Sequence, residues 1–213
     1  MDQLKNLAEK VEKGKHLEAA EETRKALDNG IQPYEVLVKG LQAGLAVVGE
    51  RFKRNECFIP EVLLAARAMH SGMDVLRPLL AESGSKPIGK IVLGTVQDDL
   101  HDIGKNMVGM MLEGAGFHVV DMGVNVPADK FVEAVEREEA TLLGLSALLS
   151  TTMPNLKTVI HRLEEKGLRD GIKVLVGGAP VTENYAMDIG ADGFAPDAAH
   201  AVDKAKELLK ISS

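Results

Sequence analysis

The chain has 213 residues, 45% of them hydrophobic, enough to bury a core in one large domain or two small ones. A formal charge of -7 with no basic stretch argues against a nucleic-acid partner, and 3% aromatic residues with no Trp leave few platforms on which bases could stack. No apolar run is long enough to span a bilayer, the charged start does not read as a signal peptide, and Cys57 is the only cysteine, so a cytoplasmic protein without a membrane partner or internal disulfide is expected.

Up to about residue 83 the apolar positions recur at helical spacing: Leu37, Leu41, Leu45, Val48 and Phe52, then Val62, Ala66, Met69, Met73, Leu76 and Leu80. Breaks near Gly14, between Asn29 and Pro33, and between Arg54 and Pro60 predict four amphipathic helices, with Pro33 and Pro60 suited to first turns. Short connections imply a small antiparallel bundle, with Met69 and Met73 in its core and Cys57 as a buried filler. Residues 81–90 have linker composition, small and polar with Pro and Gly, and place a domain boundary near residue 85. Beyond it, short apolar runs at 90–96, 117–122, 141–146, 173–176 and 193–195 alternate with amphipathic segments. Five strand-then-helix units predict an α/β domain over 86–213, a flavodoxin-like, Rossmann-type, doubly wound five-stranded parallel sheet of order 2-1-3-4-5.

Ligands in such sheets bind beyond the carboxyl ends of the strands, where strand order reverses. The segment after the first strand is Gln97-Asp98-Asp99-Leu100-His101-Asp102-Ile103-Gly104; after the third comes Ser146-Ala147-Leu148-Leu149-Ser150-Thr151-Thr152; the fourth runs into Gly177-Gly178. A dinucleotide needs a glycine-rich turn after the first strand, yet only Gly94 precedes a row of acids that would repel a pyrophosphate. A phospho-receiver needs an Asp where the third strand ends in Ser146. A closed zinc site built from His101, Asp99 and Asp102 lacks a second His or Cys.

Asp99-x-His101-x-x-Gly104, Ser146-x-Leu148 and Gly177-Gly178, in this order and at these strand ends, resemble the D-x-H-x-x-G, S-x-L and G-G signature of cobalamin-binding domains that displace the cofactor's own benzimidazole. Phe58-Ile59-Pro60-Glu61-Val62 and His101-Asp102-Ile103-Gly104-Lys105-Asn106, behind a four-helix segment, extend the likeness over nearly the whole chain. The resemblance is to cobalamin-dependent methionine synthase and to the free-standing corrinoid proteins of methyltransferase systems.

What the resemblance implies is a corrinoid carrier, holding methylcobalamin when loaded, more a methyl-carrying subunit in one-carbon metabolism than an enzyme. His101 is the implied cobalt ligand, with Asp99 behind its other ring nitrogen and Thr152 continuing the relay. Asp102, Ile103, Gly104, Ser146, Leu148, Ser150, Gly177 and Gly178 are implied along the corrinoid and its detached tail. Asp98 reads as solvated and Asp102 as a helix-start residue. His16, His70, His118, His161 and His200 read as surface or packing groups. Implied partners are a substrate:corrinoid methyltransferase, a second methyltransferase serving an acceptor such as tetrahydrofolate or coenzyme M, and a reductive activator. The helical residues 1–85 would cap the methyl-bearing face, with motion absorbed in the linker. The alternatives are the small subunit of an adenosylcobalamin mutase, which normally lacks the helical segment, and a cobalamin-dependent sensor, which would usually append a basic helix-turn-helix.

Overall fold

A computed structural model describes residues 2–82 and 86–211, so the middle of the expected linker, 83–85, lies outside the described residues. Helices α1 (Asp2–Glu12) and α2 (His16–Asp28) are followed by α3 (Pro33–Val36), which continues through a π-helical stretch, Leu37–Gln42, into α4 (Ala43–Lys53). A long helix, α5 (Ile59–Glu82), completes the first half and carries helical structure into the start of the predicted linker. The expected breaks coincide with left-handed backbone at Gly14, Gly30 and Asn55, conformations that stop a helix. Pro33 lies in the first turn of α3, where a missing N–H costs nothing, and Pro60 is the second residue of α5.

The chain divides into two compact units, one up to Lys86 with Gly114–Gly116, the other the remainder from Pro87. In the helical unit Leu7, Leu41, Leu45, Val48, Cys57, Val62, Ala66, Met69 and Leu76 are buried, while Phe52 and Met73 are half-buried. Helix α1 passes so close to α4 that a Cβ on Gly44 would run into the Ala8 carbonyl.

The second unit alternates strand and helix: β1 (Lys90–Thr95), α6 (Ile103–Gly114), β2 (His118–Asp121), α7 (Ala128–Glu138), β3 (Leu142–Ser146), α8 (Pro154–Glu165), β4 (Lys173–Gly177), α9 (Glu183–Asp188), β5 (Gly193–Ala195) and α10 (Ala198–Leu208). All strand pairs are parallel and the order is β2-β1-β3-β4-β5. Strands β1, β3 and β4 are buried almost throughout, as their continuous Ile, Val and Leu content requires of strands covered on both faces. The fully buried Phe131 of α7 fits against Gly94 in β1, where a Cβ would stand 2.6 Å from the ring. Order reverses between β1 and β3, so the segments leaving those two strands part at the carboxyl edge and leave a crevice there.

Candidate functional site

The segment after β1 turns sharply. Asp98 adopts a φ of +64° and its amide donates to Asn125 Oδ1 at 2.8 Å, which aims the next residue inward. The Asp99 side chain is fully buried. Its Oδ1 accepts from the His101 amide at 3.1 Å and from His101 Nδ1 at 2.7 Å. Its Oδ2 accepts from the Leu148 amide and from Thr152 Oγ1, each at 2.7 Å. Burial works against ionisation, yet the Thr152 hydroxyl, the Leu148 amide and His101 outweigh it and hold the carboxyl well below its ordinary 3.8.

An anionic Asp99 can only accept hydrogen bonds, so Nδ1 carries the proton and Nε2 is the ring nitrogen left to serve as a ligand. The ring is half exposed, at 49% of its side-chain surface. From below, Thr95 Oγ1 donates to the His101 carbonyl at 2.9 Å. The arrangement offers one oriented nitrogen ligand backed by a carboxylate, the pattern that fixes ring orientation and raises basicity in metal-binding histidines. Among the described residues no group of three or more His, Cys, Asp or Glu could hold a metal ion.

The surroundings fit a large, partly apolar ligand. Gly104, in the first turn of α6, has an ordinary φ and nothing within 4 Å of where a Cβ would be. Glycine in a helix costs about 1 kcal/mol relative to alanine, and no contact inside the protein demands it there. Leu100 and Ile103 on the segment of His101, and Leu148 and Leu149 on the segment whose Leu148 amide and Thr152 hydroxyl hold Asp99, are exposed, a concentration of apolar side chains that suits a binding surface.

The structure brings together Asp99, His101 and Thr152 as the sequence predicts, and adds Leu148 through its amide as well as its exposed side chain. Ser146 lies on the last rung of β3, opposite Thr95 on one side and Gly177 on the other. Ser150 is exposed in the following turn. Gly178 has a φ of +126° and a Cβ there would overlap the Ala147 carbonyl, so glycine is required by the approach of two backbone segments. A Cβ on Gly177 would lie 3.0 Å from the Ala195 carbonyl. Asp98 is exposed, and Asp102 accepts from the Asn106 amide at 2.7 Å and from Asn106 Nδ2 at 3.1 Å, at the start of α6. Sequence reasoning passes over Thr95, Asn125, Leu100 and Leu149. The one available signal is Thr95 itself, a hydroxyl ending an otherwise apolar strand.

A B12 binding domain model matches residues 89–205 and a second matches residues 3–77. The chain is 48% identical to dimethylamine corrinoid protein 1 of Methanosarcina acetivorans over 91% of its length and 89% of that protein. The chain belongs to the B12-binding corrinoid-protein family. Among solved structures, a cobalamin-binding protein from Desulfitobacterium hafniense DCB-2 matches this corrinoid protein at a TM-score of 0.80 and 33% identity, covering 96% of this chain and 98% of that one. A chain of the methanol:cobalamin methyltransferase complex MtaBC from Methanosarcina barkeri matches at 0.87 and 29%, covering 100% and 81%. Cobalamin is the cofactor, and His101, Asp99, Gly104 and the apolar rim are placed to suit it. Among the described residues no helix is long and apolar enough to cross a membrane.

Proposed function

We propose that this corrinoid protein is a methyl carrier that holds cobalamin with the cofactor's own base displaced and His101 as the lower cobalt ligand. When bound, the corrinoid supplies a cobalt centre able to take up and give back a methyl group. The chain's own share is to present His101 Nε2, to keep the Nδ1 proton against Asp99, and to anchor Asp99 through Thr152 Oγ1 and the Leu148 amide. The single observation carrying this reading is the fully buried carboxylate, saturated by four donors, behind one half-exposed imidazole. Gly104, Ile103 and Asp102 lie along the same opening as His101. Ser146, Ser150, Gly177 and Gly178 border the route assigned to the detached tail, all within the 86–213 domain.

Relatives named for dimethylamine support a methylated amine as the methyl source, delivered by a substrate:corrinoid methyltransferase. A second methyltransferase then receives the methyl group for an acceptor such as tetrahydrofolate or coenzyme M, and a reductive activator would serve only carrier that has been oxidised outside this cycle. Such work takes place in the cytoplasm.

The test is electron paramagnetic resonance of the cobalt(II) protein, reconstituted with hydroxocobalamin, after growth on ¹⁵N-histidine. The splitting by the axial nitrogen should follow the isotope. Splitting indifferent to the histidine label, as from benzimidazole, refutes the ligand assignment.

A further inference from the structure

We propose that Lys105 is a positioning residue for the His101 ligand, acting through Asp121 and the β2–α7 loop; this rests on His101 being the lower ligand. Lys105 occupies the first turn of α6, four residues after His101, with its side chain only 1% exposed. Its ammonium has three donors, and three oxygens meet it at 2.6 Å: both carboxylate oxygens of Asp121 and Asn106 Oδ1. A buried charge is costly even when paired, and apolar residues of similar volume often stabilise a fold as well or better. Its retention here calls for a role in register.

The contacts of its partners supply one. Asp121 ends β2, and its Oδ1 also accepts from the Gly123 amide at 2.8 Å, shaping the turn that follows. From that turn the Gly123 carbonyl accepts from the Thr95 amide at 3.0 Å, and the Asn125 amide donates to the Asp99 carbonyl at 2.9 Å. Asn125 Oδ1 takes the Asp98 amide. Thr95 in turn holds the His101 carbonyl. The second arm is shorter, since Asn106 accepts from Lys105 and donates to Asp102, the residue after His101. One ammonium thus fixes both ends of the segment that carries the imidazole, on the side away from β3.

A ligand set depends on its supporting contacts, whose loss typically weakens metal binding by about 10 to 100-fold. Lys105→Met removes the charge at similar length, and Asp121, 48% exposed, can then turn to water, so folding should survive. Hydroxocobalamin affinity and the cobalt(II) spectrum are measured in a double-mutant cycle with His101→Ala. With His101 present, Lys105→Met should weaken binding about tenfold and reduce the histidine-nitrogen splitting. In the His101→Ala background the further loss should stay within about twofold. A merely structural role predicts equal losses in both backgrounds, and that result, or no loss in either, overturns the proposal. Should Lys105→Met not fold, Asp121→Asn is read in the same cycle, with the same outcomes deciding. A His101→Ala spectrum identical to the parent overturns the ligand assignment and this proposal together; an altered spectrum with an uncoupled Lys105 overturns this proposal alone.

Discussion

Two Asp–His pairs follow strands at the carboxyl edge of this sheet, and at the imidazole they look alike. Asp99–His101 follows β1 and Asp197–His200 follows β5; in each, Nδ1 lies 2.7 Å from a carboxylate oxygen, and the rings are 49% and 47% exposed. The carboxylates differ. Asp197 is 28% exposed and its other oxygen caps α10, accepting from the Ala199 and His200 amides at 2.9 Å. All its partners lie within three residues. Asp99 is fully exhausted by donors reaching across 49 and 53 residues of sequence, from Leu148 and Thr152 on the far side of the crevice. A local cap needs only its own helix, whereas a buried, saturated carboxylate can form only after β3 has docked beside β1. The imidazole alone does not distinguish the two pairs; what stands behind it does.

The most direct way to break this contrast is to delete each ring. His101→Ala should lower hydroxocobalamin affinity by roughly 100-fold, the upper end of what losing an outer contact causes, while His200→Ala should stay within about twofold of the parent. Equal losses in a binding titration would erase the distinction. Changing the carboxylates should give a smaller and qualitatively different split. Asp99→Asn leaves the volume but offers Nδ1 a poorer acceptor, and affinity should fall roughly tenfold. Asp197→Ala removes a helix cap and should cost about 0.5–2 kcal/mol in denaturant unfolding while the corrinoid spectrum stays as it was. A spectral change in Asp197→Ala would assign that pair a share of the site.

Much of this was legible from residues. Strands β1, β3 and β4 announce themselves because they are apolar on both faces, and even the three residues of β5 stand between Gly and Pro signals. The helix starts follow Pro33 and Pro60. The π-helical stretch was not legible as such, although Leu37, Leu41 and Leu45 hint at it. Steps of four drift roughly 40° each around an ideal α-helix, and wider turns hold such a series on one face. At the site, Asp99 and His101 are two residues apart in sequence and readable together. Thr152 came only with the family signature, because its reach to Asp99 depends on β1 pairing with β3. The Leu148 amide has no side-chain signal at all. Lys105 enters the sequence reading only within the His101–Asn106 run, and its partner depends on the β1–β2 register, Leu93 opposite Asp121, which brings a carboxylate within reach.

The finest test concerns what Thr152 does for Asp99 before any cofactor binds. Thr152 is 3% exposed, and among the donors that lower the Asp99 carboxyl its hydroxyl contributes most, against the opposing effect of burial. A carboxyl lowered in the folded state contributes stability that is complete above its ordinary value of 3.8 and is lost as pH falls through the folded value, because protonation then costs the native state its donors. Removing one donor raises the folded value back toward the ordinary one. Thr152→Ala should therefore destabilise the cofactor-free protein by about 1.5–3 kcal/mol near pH 7, the usual cost of losing a hydrogen bond to a charged group. The deficit should shrink as the pH falls from the variant's raised folded value toward the parent's lower one, and be smallest once Asp99 is neutral in both folded proteins. Thr152→Ser keeps the hydroxyl and should lose less than about 1 kcal/mol, the methyl group alone. Denaturant midpoints for the three proteins at neutral and acid pH decide it. A deficit independent of pH would mean that Thr152 is a packing residue and that the Asp99 carboxylate owes its charge to the Leu148 amide and His101.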